Sequence, residues 1–458
     1  MRELLSSFHS YRGRHGSYEH HACDKVRKMS TFDKIIGYDS IKEELLMIVD
    51  MIRNRDRYSA LGASLPKGVI LYGKPGLGKS MLAKSFVEEC GLKPYILRRN
   101  TGSNNFVDVV TKTFEEAKEN APSVILLDDM DKYANDDSFY SDAEEYVAVQ
   151  SGIDEVYDSE VFVIATVNNI DKLPESLVRP GRFDKKIEVL SPTDKDAEAI
   201  IEYYLSDKKL DPAVNMEDLT RMISYSSCAE LQTLINEAAI YAAYDKKDSI
   251  EMSDIVRSVL RMQYKSPDNY TRTSDEQIKK TALHEAGHLV VAEVLQPGSV
   301  GMASLRAEGR DDVGGFVHMY KEIARRPHDV MVALAGKAAV ELYYSESCAG
   351  GCQQDLKHAV NGIRSGLNMS GTRGLGMVDV SIRGLEPSES YNSKNEAVTQ
   401  AELESYLFKT RNIILKNRSF LEATAKALCE KKTLLYSDIK KIKEESTVCE
   451  ISECFEYN

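Results

Sequence analysis

The chain has 458 residues, 42% of them hydrophobic, and a formal net charge of −13. That length suits about two to four globular domains, and the acidic balance offers no basic field to phosphate backbones or anionic lipid surfaces, which excludes nucleic acid as a main partner. The eight cysteines form no CxxC pair, a usage that fits reduced thiols in a cytoplasmic protein rather than a disulfide framework, and the longest apolar runs fall well short of the roughly 20 residues a membrane helix needs.

Residues 1–30 mix Arg2, Arg12, Arg14, Lys25, Arg27 and Lys28 with Glu3, Glu19 and Asp24 and have no apolar core. They read as a mobile N-terminal tail. From 31 to 191 the chain alternates short apolar runs with amphipathic stretches: "GVILYG", "MLAKSFVEEC", "PYIL", "FEEAKEN", "SVILLDD", "VFVIATV". Strands alternating with helices predict parallel β-α-β units, hence an α/β domain built on a doubly wound sheet.

Within it, Gly73-Lys74-Pro75-Gly76-Leu77-Gly78-Lys79-Ser80 matches G-x-x-x-x-G-K-[ST] between an apolar strand and an amphipathic helix. The glycines let backbone N–H groups converge on phosphates, Lys79 reaches the β- and γ-phosphates of ATP, and Ser80 ligates magnesium. Asp128 ends the run "SVILL", where a buried strand would present a second magnesium handle, and Asp129 follows as a water-activating carboxylate. Further on, "RPGRFD" places Arg179 and Arg182 far in sequence from the phosphate loop. As arginine fingers they would serve a neighbouring subunit's ATP, which implies a ring.

Residues 192–263 lose the strand signals, and "DAEAIIEYYLSDK" and "AELQTLINEAAIYAAYD" carry apolar residues at three and four spacing, predicting a small helical domain. The polar stretch 264–275 reads as a linker. Residues 276–445 are expected to be mostly helical with a β excursion near 298–320, and 446–458 form an acidic tail.

"TALHEAGHLV" opens this last domain. On a helix, positions i and i+4 share a face, so His284 and His288 can present two imidazoles to one zinc with Glu285 beside them as the base. A metal that acidifies water, next to a carboxylate, suits hydrolysis of a peptide bond at neutral pH. A catalytic zinc needs a third protein ligand, and His318, His358, Glu341, Glu346 and Asp355 all lie downstream; spacing does not choose among them. Cys348 and Cys352 read as idle thiols.

The order of P-loop, Asp128, "ATVNN", "RPGRFD", helical domain and HEAGH resembles the FtsH family of AAA zinc metalloproteases, from about Thr31 to Lys443. The resemblance implies that Ile36 and Gly37 line the adenine, that Asn168 positions the attacking water, and that Arg179 and Arg182 are the two fingers. It also implies that Asp355, in "CQQDLKHAV", is the third zinc ligand. A homo-hexamer feeding polypeptide substrates to its zinc sites by ATP-driven motion is then expected. Three departures stand out. The family's N-terminal membrane helices have no counterpart here, its Walker-B Asp-Glu is Asp128-Asp129, and the pore segment between Tyr95 and Phe114 is short, with Phe106 its only aromatic. Slow hydrolysis and weak gripping are expected from the last two. Two other functions remain: a peptidase in which ATP mainly assembles the ring, and a remodelling factor without proteolysis.

Overall fold

The computed structural model describes residues 30–99, 105–134, 143–192, 194–224, 226–266, 274–307, 314–344, 352–370, 389–450 and 454. The N-terminal tail, Glu346, Cys348, most of the proposed linker and part of the acidic tail lie outside the described residues. So does the middle of the pore segment, residues 100–104.

The first part holds a five-stranded sheet: β1 (Gly68–Tyr72), β2 (Lys93–Arg98), β3 (Ser123–Asp128), β4 (Val161–Val167) and β5 (Lys185–Glu188), with α1 (Asp39–Arg53), α2 (Arg55–Ser59), α3 (Lys79–Cys90), α4 (Phe106–Glu119), α5 (Glu144–Glu155) and α6 (Glu175–Val178). The order is β2-β3-β4-β1-β5, all parallel. Strands β3 and β4 are buried along their whole length and β1 for its first four residues, as expected when helices cover both faces of a parallel sheet. Strand β5 was not foreseen: "KKIE" shows alternation only in the burial of Ile187, and its edge position tolerates lysines. Phe106, the only aromatic of the pore segment, is buried edge-on against Tyr133 with centroids 4.9 Å apart.

Four helices follow: α7 (Asp194–Leu205), α8 (Met216–Met222), α9 (Cys228–Tyr244) and α10 (Met252–Tyr264). Ser227 caps α9 through its hydroxyl while Glu230 returns a bond to the Ser227 N–H, so the start of this helix is fixed by a local reciprocal pair.

The remainder comprises α11 (Asp275–Leu295), β6 (Val300–Ala307), β7 (Gly314–Met319), α12 (Arg326–Tyr344), α13 (Cys352–Ser370), α14 (Glu389–Lys416), α15 (Arg418–Lys431), β8 (Thr433–Leu435) and α16 (Tyr436–Glu445). The expected β excursion is the antiparallel pair β6–β7, and β8 adds to its other side; three residues, "TLL", carry too little pattern to be read as a strand. Ser274 caps α11 by accepting from the Gln277 N–H, with Asp275 and Glu276 in the first turn, a favourable placement of negative charge at a helix N-terminus. From Thr281 to Leu295 all but one residue of α11 is buried, so this helix runs through the core. No helix among the described residues is long and apolar enough to cross a membrane.

The α8–α10 region and the last region are joined by polar and apolar contacts alike. Asp218 of α8, buried, accepts from Ser437 N at 2.8 Å and Ser437 Oγ at 2.6 Å. The Arg221 guanidinium lies 3.5 Å from the Tyr436 ring centre and donates to the Gly298 carbonyl. Tyr264 stacks on Phe316 at 3.5 Å, and its hydroxyl meets His318 Nδ1 at 2.6 Å, while His318 Nε2 meets Ser224 Oγ at 3.1 Å.

Burial pulls the His318 imidazole down to about 4 from 6.5. Below pH 6.5 the unfolded chain therefore takes up a proton that the folded one refuses, so the stability His318 contributes is present above about pH 6.5 and is lost as pH falls toward 4. The thermal midpoint should drop across that window. His318→Gln should flatten the drop; an unchanged slope in calorimetry would disprove the assignment.

Candidate active sites

The phosphate loop leaves β1 and enters α3. Gly73 (φ +145) brings the backbone against the Val189 carbonyl, where a Cβ could not fit, and Gly78 (φ +85) forms the left-handed N-cap of α3; both conformations belong to glycine. Lys74, Pro75 and Gly76 are exposed at the tip while Leu77 is buried. Lys79 folds back over the loop and donates to the Gly73 and Lys74 carbonyls, 2.7 Å each. Burial pulls its ammonium below the ordinary lysine range, against the attraction of Asp129 and Asp131.

Beside the loop lies a cavity of about 670 Å³, lined by Ile36, Tyr38 and Gly78 on one side and Ile200, Tyr204 and Cys228 on the other. Gly37 (φ +71) turns next to it, so close to Asp196 that a Cβ would stand 2.9 Å from Oδ1. The cavity thus sits between the sheet domain and the helices after it.

Asp128 ends β3, and its Oδ1 accepts from Ser80 Oγ at 2.7 Å and Thr166 Oγ1 at 2.8 Å. Asp129 takes a left-handed conformation (φ +54). Its Oδ2 meets Lys132 Nζ at 2.9 Å and Arg98 Nη2 at 3.3 Å, and its Oδ1 meets Asn168 Nδ2 at 3.5 Å. Burial pushes this carboxyl up, but Lys132 and Arg98 outweigh it and hold the group below the usual range.

The two arginines are placed differently. Arg182 is bidentate to Asp154 of α5 (Nε 2.9 Å, Nη2 2.7 Å), and its Nη1 donates to the Ser176 carbonyl at 2.6 Å. Arg179 is exposed and makes no hydrogen bond or ion pair among the described residues, although Asp154 feels its charge.

At the second site, His284 and His288 on α11 and Asp355 in the first turn of α13 bring one ligand atom each to within 4.8 Å of one another. Asp355 Oδ2 lies 3.1 Å from His284 Nε2 and 3.2 Å from His288 Nε2. His288 Nδ1 lies 2.7 Å from the Val332 carbonyl, which fixes Nδ1 as the protonated nitrogen and leaves the Nε2 lone pair facing the other two groups. His284 Nδ1 is buried without a hydrogen-bond partner among the described residues. Three lone-pair donors facing one another fit a divalent cation, and the His2Asp set with Glu285 outside it fits catalytic zinc. Burial raises the Glu285 carboxyl, although His288 and His284 pull it down.

Two glycines that sequence reasoning missed shape this site. A Cβ on Gly336 of α12 would stand 2.5 Å from both His284 Nδ1 and His288 Nε2, and one on Gly315 of β7 would stand 2.6 Å from Glu285 Oε1. Gly336→Ala should therefore splay the imidazoles and cost about 10-fold or more in zinc affinity, on the scale of outer-shell changes; metal content after dialysis checks it, and full retention would contradict the packing.

The other candidate ligands are engaged elsewhere. His358 pairs with Asp329 at 2.8 Å on the surface, Glu341 pairs with Lys337 and Arg411, and His318 lies in the junction described above. Cys352 is buried in the first turn of α13.

A P-loop sheet domain with a helical appendage, carried on one chain with a His-Glu-His helix and a converging aspartate, has the fold of a nucleotide-binding ATPase domain and the ligand set of a zinc-peptidase site. Residues 69–191 match the model of the ATPase family associated with various cellular activities (AAA). The chain is 31% identical over 436 residues to the ATP-dependent zinc metalloprotease FtsH of Leptotrichia buccalis, covering 90% of this chain and 56% of that protein. It is 30% identical over 448 residues to the ATP-dependent zinc metalloprotease FtsH 2 of Symbiobacterium thermophilum, covering 90% and 74%. With the FtsH protein of Mycoplasma pneumoniae it shares 32% identity, covering 92% and 63%. The chain belongs to the FtsH family of ATP-dependent zinc metalloproteases, and it spans between about half and three quarters of the length of these relatives.

Proposed function

We propose that the chain is an ATP-dependent zinc endopeptidase that degrades unfolded or loosely folded polypeptides as a homo-hexameric ring in the cytoplasm. The carrying observation is the convergence of His284, His288 and Asp355 beside buried Glu285, on the chain that holds the P-loop and Asp128. Zinc held by those three residues supplies Lewis acidity and an acidified water. Glu285 takes a proton from the attacking water and returns it to the leaving amine, a task suited to a buried carboxyl whose proton affinity is raised. The Val332 carbonyl keeps His288 in one tautomer and orientation.

At the other site Lys79 neutralises phosphate charge, Ser80 and Asp128 hold magnesium, and Asp129 with Asn168 orients the water. Ile36 and Gly37 border the base. Arg179 and Arg182 lie on the segment that would face a neighbouring subunit. The cytoplasmic placement rests on cysteines that form no disulfide among the described residues.

Casein degradation tests the proposal in three conditions: with ATP, with a non-hydrolysable analogue, and with a zinc chelator. Cleavage only with ATP and zinc is expected. Cleavage that persists with the analogue would make ATP an assembly ligand, and ATP hydrolysis without cleavage in any condition would leave a remodelling factor.

A further inference from the structure

Thr166 takes no part in the roles assigned so far, yet its side chain stands between both acidic residues of the nucleotide site. Strand β4 lies between β3 and β1 in the sheet, and the register Leu127↔Ala165 sets Thr166 beside Asp128. The side chain is fully buried. A threonine hydroxyl has one hydrogen and two lone pairs, and here the hydrogen goes to Asp128 Oδ1 (2.8 Å) while a lone pair accepts from the Asp129 N–H (2.9 Å).

From these contacts we infer that Thr166 is a positioning residue for ATP hydrolysis, its hydroxyl fixing the Asp128 carboxylate and the Asp129 backbone in one geometry. The inference rests on the nucleotide site proposed above. Asp128 Oδ1 receives two hydroxyl hydrogens, from Ser80 and Thr166, so rotating that carboxylate would break both bonds and its other oxygen keeps one direction. Asp129 holds a left-handed conformation (φ +54) that non-glycine residues seldom adopt; its N–H is held by the Thr166 hydroxyl and its carbonyl by the Lys132 N–H at 2.9 Å, so Thr166 secures the N-terminal side of the turn. That turn directs the Asp129 carboxylate toward Asn168, whose own N–H is tied to Asp131 Oδ1 at 3.1 Å. A hydroxyl present only to satisfy itself inside a strand would need one partner, such as a nearby carbonyl. This one joins the two residues on which hydrolysis depends.

The full chain carrying Thr166→Val, Thr166→Ala or Thr166→Ser tests it. Valine keeps the shape and loses the hydroxyl; serine keeps the hydroxyl and loses the methyl. Val and Ala variants should lose about 10²-fold in ATP kcat, the scale of a misplaced reacting group, with KM and the Kd for a fluorescent ATP analogue within about twofold, and Ser should recover most of the rate. Normal nucleotide affinity in the same preparation shows that a variant is folded. If valine alone prevents folding, the alanine–serine comparison decides. Turnover in Val or Ala near that of the unmodified chain, or a serine variant as slow as alanine, overturns the inference while leaving the nucleotide site standing. An unmodified chain that binds no nucleotide overturns both.

Discussion

Glu285→Gln should lower casein cleavage by about 10²–10⁴-fold, the range that a positioned general base contributes, while metal content stays near one per chain. The amide has nearly the same shape, so its contact with Gly315 survives, but it cannot take a proton. Metal should stay because the converging ligand atoms belong to His284, His288 and Asp355 and not to Glu285. Elemental analysis and a peptidase assay on the same sample check both halves. Loss of zinc from this variant would make Glu285 a ligand and leave the site without its base.

Arg179→Ala should reduce ATP turnover by about 10³-fold or more, as expected for a finger that meets developing charge on phosphate, with little change in thermal midpoint. Its side chain is exposed and free of hydrogen bonds among the described residues, so its removal costs no packing or hydrogen bond there and takes only a minor charge contact from Asp154. Arg182 is committed to Asp154 and the Ser176 carbonyl, and the pairing holds the Asp154 carboxyl below its usual range. Arg182→Ala should therefore lower the thermal midpoint and reduce turnover less than Arg179→Ala. Equal losses of turnover at an unchanged midpoint would show that Arg182 leaves Asp154 when subunits assemble.

What could be read from the residues and what could not divides along range. The phosphate loop and the His-Glu-His helix announce themselves because their chemistry is compressed into eight and five neighbouring residues. Asp355 is 67 residues from His288, and only the likeness to a known family, not spacing, singled it out. The central strands were legible as unbroken apolar runs, whereas β5 and β8 are short and take their strand character from the neighbour they pair with. Gly315 and Gly336 look like any other glycines in sequence; only the packing of β7 and α12 against α11 reveals that a methyl group there would strike Glu285 or the two histidines. Arg182 and Asp154 are 28 residues apart on different elements, beyond any local pattern.

One apolar core runs from the wall of the nucleotide cavity, through Tyr38, Ile200 and Ile235, to Met302 of β6, with Phe316 of β7 packed against it. Phe316 is the neighbour of Gly315, which touches Glu285. Between the nucleotide cavity and Glu285 the apolar packing is thus continuous, and close-packed interiors transmit displacement instead of absorbing it. The Asp218–Ser437 hydrogen bond and the Tyr264–Phe316 stack tie the far end of that core to the last region. A displacement of the cavity wall would therefore pass through packed side chains toward Phe316, Gly315 and Glu285 instead of dissipating in solvent.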